Sequence, residues 1–130
     1  MDVRAQGPAA DALRDYLAAA GVTIGPGEGA AVVSSAAILE PAGREPSRFV
    51  LSDSGFAASP GRPCGACLAA LLAAQPAVAR EDRPAAALAA GSLAAAELLL
   101  ALARPGSREP VAFSVWPTAR NLPPPECTHG

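Results

Sequence analysis

The chain has no lysine, a single histidine, one tryptophan, one tyrosine and one methionine, and three cysteines in its 130 residues. All ten basic residues are therefore arginine, set against twelve acidic ones, for a net charge of −2 and a sequence pI of about 5.3. That balance excludes the basic footprint on which nucleic-acid binding rests. Aromatic residues make up only 4 %, so the 51 % hydrophobic content is mostly alanine and leucine. Alanine buries little area per residue, so helices built from it must pack closely. A domain of this size with such a core gains from a metal clip or a partner, a homodimer included. An odd number of cysteines, two of them at metal-ligand spacing, fits a reducing compartment better than a disulfide framework. The start, Met1-Asp2-Val3-Arg4-Ala5-Gln6, lacks the basic-then-apolar layout of a secretory leader, so the expected location is cytoplasmic. The heavy use of alanine, arginine, proline and glycine matches GC-rich bacterial codons and says little about function.

One long apolar run is present. Ala85 to Ala103 carries Glu97 as its only charge. Its length would cross a bilayer. Its alanine content and the cost of Glu97 in hydrocarbon favour a buried helix instead. The rest of the chain punctuates itself. Residues 9–20 read as a helix stopped by Gly21, with Leu13, Tyr16, Leu17 and Ala20 on one face and Arg14 and Asp15 on a solvated edge. Gly25-Pro26-Gly27-Glu28-Gly29 is a turn, because a phosphate loop needs a preceding strand and usually a lysine. Residues 30–39 and 49–51 read as strands, and Asp53-Ser54-Gly55 turns the second back into residues 56–59. Residues 64–74 and 84–103 read as helices, with Asp82 expected to cap the latter. A strand follows at 111–116, with Val111, Phe113 and Val115 on one face, and Pro123-Pro124-Pro125 extends the chain towards its last residues. The expected product is one small α/β domain over residues 1–130. A helix and loop occupy 1–29, and a few short strands with two apolar helices, three-layer-like, occupy 30–130.

The cysteines and the histidine carry the candidate chemistry. Cys64 and Cys67 form a Cys-Gly-Ala-Cys hook, and Cys127 and His129 stand in the last four residues. Four soft or borderline ligands in two local pairs are what tetrahedral structural zinc requires. The first pair would stand at a helix N-terminus, where exposed N–H groups favour a negatively charged ligand atom. No serine or acid constellation surrounds His129, so nucleophilic catalysis is not expected.

Two family resemblances meet at this hook. Pro63-Cys64-Gly65-Ala66-Cys67 resembles the second zinc motif of cytidine deaminases. The ligand and glutamate that complete that site upstream correspond here to Val32 and Ser34, which implies a degenerate member without an activated water. The second resemblance runs from about residue 50 to the end. Gly55 to Leu68, ending in Pro63-Cys64-Gly65-Ala66-Cys67-Leu68, is similar to the Pro-Cys-x-x-Cys-Leu stretch of ThiF/MoeB-type proteins of the ubiquitin-activating superfamily. Gly91-Ser92-Leu93-Ala94-Ala95-Ala96-Glu97 resembles that family's Gly-Ser-Leu-Gln-Ala-Ala-Glu helix. Pro125-Glu126-Cys127-Thr128-His129-Gly130 resembles its closing Pro-x-Cys-x-x-Cys-Gly, one residue shorter and with histidine for the last cysteine. The nearest likeness is to the ThiF-like proteins of azole-forming peptide natural-product clusters.

This resemblance implies structural zinc on Cys64, Cys67, Cys127 and His129 in a truncated Rossmann-like C-terminal half. It does not carry the activating chemistry across. The chain has no Gly-x-Gly-x-x-Gly, no lysine, and no cysteine between Cys67 and the long helix to form a thioester. The implied role is a noncatalytic zinc-binding accessory or scaffold with a protein or peptide partner. The alternatives are a subunit of a split adenylating enzyme, with ATP held by another chain, and a degenerate deaminase-like protein.

Overall fold

A computed structural model of the chain describes residues 2–3, 5–24, 31–34, 49–59, 64–103 and 109–126. In chain order the elements are β1 (Asp2–Val3), α1 (Pro8–Ala19), β2 (Ala31–Ser34), β3 (Phe49–Leu51), β4 (Gly55–Ala58), α2 (Gly65–Ala73), a 3-10 turn (Arg80–Asp82), α3 (Arg83–Ala103), β5 (Val111–Ser114) and β6 (Arg120–Asn121). The strands form one six-stranded sheet in the order β1-β2-β3-β4-β5-β6. The first three are mutually parallel. From β3 onward every pair is antiparallel. The chain is a small α/β domain.

Strand alternation divides the core in two. Successive side chains on a strand point to opposite faces. Phe49, Leu51, Phe56, Ala58 and Phe113 therefore share one face, under α1 and α3, with Leu13, Leu17, Ala94 and Leu98. Val50, Ala57 and Ala112 share the other, under α2, with Leu68, Ala69, Leu72 and Leu122. The expected alternation at the last long strand holds, since Phe113 joins the first cluster and Val111 and Val115 pack against it. Three aromatic rings anchor that face. Phe56 lies opposite Phe113 in register, and its ring centroid is 5.9 Å from that of Phe113 and 6.5 Å from that of Phe49.

Helix α1 ends where the sequence places its stop. The N–H of Gly21 donates to Ala18 O and that of Val22 to Leu17 O, each at 3.0 Å, and Gly21 has φ 86°. This is the two-bond Schellman ending, which glycine adopts without a Cβ penalty. Its buried face differs from the expectation. Ala9, Ala10, Leu13 and Leu17 are buried, whereas Tyr16 is 45 % exposed and Ala20 is exposed. The reason is the partner: α1 meets the glycine-and-alanine side of α3, where there is room for small residues and not for a tyrosine ring. Arg14 is also no solvated edge. Its guanidinium donates to Val3 O at 2.9 Å and Ala5 O at 2.7 Å, and it stands 3.5 Å from Asp11. It ties α1 to the exit of β1, a strand that hydrophobic patterning did not reveal. Arg14→Leu is expected to lower unfolding free energy by about 1–2 kcal/mol, because two carbonyls lose a charged donor; urea unfolding with an unchanged midpoint would reject the link.

Helix α3 is long and apolar enough to cross a membrane by length and composition. Here it packs against α1 and the sheet through Ala87, Ala94, Ala95 and Leu98. Its start differs from the expectation. Asp82 is not an extended cap but lies inside the 3-10 turn, its N–H bonded to Ala79 O at 2.9 Å, and that turn runs directly into the helix.

Candidate functional site

Leu68 and Leu72, four residues apart and both buried, seat α2 on the second core cluster. That fixes where its first turn points. Cys64 is the N-cap, with extended backbone (φ −72°, ψ 166°), and its carbonyl accepts the first intrahelical bond from Leu68 N–H at 3.0 Å. Cys67 follows in the first turn, and both cysteines are half-buried. Positions three apart at a helix start lie one above the other on the same side. The hook is therefore two soft sulfur donors at the start of a helix seated on the core, both on partly exposed residues.

The sheet relates this hook to the end of the chain. β4 and β6 both run antiparallel to β5, which lies between them, so they run in the same direction. Ala58, at the exit of β4, pairs with Val111, and Leu122, just past β6, donates its N–H to Ala112 O at 2.9 Å. Both strands leave the sheet at the same end, about 10 Å apart across one intervening strand. Ser59 follows β4, and the chain then continues to Cys64. Leu122 follows β6, is buried in the same cluster as Leu68, and lies five residues before Cys127. Five residues reach at most about 17 Å.

Residues 60–63, which hold Pro63 of the motif, and 127–130, which hold Cys127 and His129, lie outside the described residues. The same is true of the Gly25–Gly29 loop. Among the described residues no group of three or more histidine, cysteine or acidic side chains stands together as a metal centre. Two thiols separated by two residues are the donor type and sequence spacing of zinc hooks in general.

The opposite end of α2 borders a cleft of about 480 Å³ at the exits of β1 and β3. Gln6, Ser52, Asp53, Ser54, Gln75 and Arg83 supply its polar side chains. Asp53 is the turn residue expected: Ser52 N–H bonds to Gly55 O at 2.9 Å across it. Sequence reasoning missed the side chains that fasten this end. Arg120 donates to Trp116 O and to Gln75 Oε1, each at 2.7 Å, and Gln75 Nε2 donates to Leu71 O at 3.0 Å. The bonds join β6 to the last turn of α2 over a separation of 45 residues, which no local pattern signals. Glu97 lines a groove beside Arg120, together with Leu93 and Phe113. No family model matches the chain, and no curated protein or solved structure matches it either.

Proposed function

We infer that the protein is a noncatalytic zinc-binding accessory or scaffold module of a ThiF-like biosynthetic or ubiquitin-like-modifier system. The observation that carries this reading is the shared direction of β4 and β6. They leave the sheet at one end, β4 six residues before Cys64 in the sequence and β6, through Leu122, five residues before Cys127. In this reading Cys64, Cys67, Cys127 and His129 hold the metal and pin the closing arm to α2. Zinc bound by four protein ligands supplies structural cross-linking, since no coordination position is left for water or substrate. The rigid hook, seated by Leu68 and Leu72, fixes two of the ligands in advance.

A scaffold also needs a surface for its partner. Leu93 and Leu100, seven residues apart on one side of α3, are 46 % and 57 % exposed, an apolar strip of the kind that a protein or peptide covers. The adenylating role would require a phosphate cradle and a magnesium-binding carboxylate. The sequence has no glycine-rich nucleotide motif and no lysine. The isolated chain is expected to show no ATP-dependent pyrophosphate exchange and no ATP binding by calorimetry. Micromolar ATP affinity would replace the scaffold reading with that of an adenylating subunit.

A further inference from the structure

Two cysteines bracketing the first turn of a helix are also a dithiol. Cys64 and Cys67 stand at the N-cap and in the first turn of α2, and both residues are partly exposed. Helical geometry sets Cα atoms three positions apart at about 5 Å. That lies inside the range of about 4.4–6.8 Å that a disulfide spans. The remaining cysteine of the chain, Cys127, belongs to the closing arm. Leu68, Ala69 and Leu72 hold α2 from its buried side, so closing a bond across the rim leaves the core contacts in place.

We propose that Cys64 and Cys67 are a site of reversible oxidation, forming an internal disulfide by exchange with low-molecular-weight disulfides. The inference rests on the zinc reading in one respect: both sulfurs are assigned as metal ligands, so disulfide and metal exclude each other. One thiolate attacks the small disulfide RS–SR, forms a mixed disulfide and releases RS⁻. The second thiolate then displaces the remaining RS⁻ and closes the Cys64–Cys67 bond. Two electrons pass from the protein dithiol to the small disulfide, and the two thiol protons end on the released thiols. A reducing thiol reverses both steps. A metal coordinating both sulfurs blocks the first attack, and completed oxidation removes two of its ligands.

The test uses the whole chain in zinc-loaded and chelator-stripped form, with glutathione disulfide as the probe. Arginine-specific cleavage after Arg48 and Arg80 releases fragment 49–80, which contains Cys64 and Cys67 but not Cys127; Arg62 precedes proline and resists the protease. In the stripped protein this fragment is expected to lose two hydrogens and carry no glutathione, and to recover both on reduction. The loaded protein should oxidise more slowly, with zinc appearing on a chromogenic chelator in step with the disulfide. Cys67→Ser should arrest the exchange with glutathione held on Cys64. Two stable glutathione adducts, unaltered thiols, or a cross-link between fragments 49–80 and 121–130 would overturn the proposal. A chain that closes the internal bond but never holds zinc supports the dithiol and rejects the zinc reading alone. A chain that holds zinc yet cannot close the bond once stripped rejects the dithiol alone.

Discussion

Cys64→Ser is expected to strip the reduced protein of its metal, which the native chain should carry at about one zinc per molecule. Structural zinc contributes on the order of 10–16 kcal/mol of apparent binding free energy in small zinc-dependent peptides, and in a small domain that becomes folding free energy. The loss should be unevenly distributed. The sheet and the α1–α3 layer rest on the first cluster of buried side chains, which does not include α2. Helix α2 and Leu122 have only the smaller second cluster, where Leu122 is 9 % exposed. The variant should therefore lose helical circular dichroism and amide protection in α2, and the protection of the Leu122 N–H bonded to Ala112 O, before the rest. Cys127→Ser should behave alike. Removal of residues 129–130 should weaken binding without abolishing it, because three sulfur ligands remain. Metal analysis and the visible absorption of the cobalt-substituted protein read each case. A native chain that carries no metal, and melts identically with and without chelator, would falsify the zinc assignment; identical cobalt spectra for the intact and truncated proteins would make His129 a bystander.

Gly91 should be the least replaceable residue of α3. A Cβ built there would collide with Ala9 O, and would lie 2.8 Å from Ala12 Cβ and 3.0 Å from Leu13 N. Two opposing effects are at stake. Alanine in a helix interior is better than glycine by about 1 kcal/mol. Overpacking a tight contact costs about 1–3 kcal/mol, and more when the obstacle cannot move. Two of the three obstacles here are backbone atoms of α1, so relief requires the whole helix to shift away from α3. The second effect wins. Gly91→Ala is expected to destabilise by about 1–3 kcal/mol. Gly91→Leu should remove a large share of the 5–15 kcal/mol typical of a domain, roughly abolishing cooperative melting. Leu88→Ala, on the exposed side of the same helix, should leave the midpoint almost unchanged and serves as the control. A Gly91→Ala protein at least as stable as the native one would show that the helices are further apart than described.

Elements that carry strong local signals can be read from the residues alone. The α1 stop at Gly21, the β3–β4 turn at Asp53-Ser54, both Ala/Leu helices, and the alternation of Val111, Phe113 and Val115 were all legible. Each depends on residues within a turn or a strand of one another. The Cys64–Cys67 pair was legible for the same reason, since its spacing and the helix that follows are local facts. A glycine at position 91 of a helix leaves room for a close approach, but nothing local says to which element. That α1 fills that place is settled by packing in three dimensions. In doing so it turned Tyr16 outward and recruited Ala9 and Ala10, because the closeness of two backbones is a property of the pair. It likewise decided the two-residue strands β1 and β6, which are too short to show a hydrophobic period and exist through their neighbours' hydrogen bonds. The Arg120–Gln75 link and the grip of Arg14 on Val3 and Ala5 are of the same kind. A long polar side chain reads as solvated until the fold brings carbonyls within its reach. The common heading of β4 and β6, on which the zinc reading depends, follows from strand order and direction, which are set by pairing across the sheet and by no residue alone.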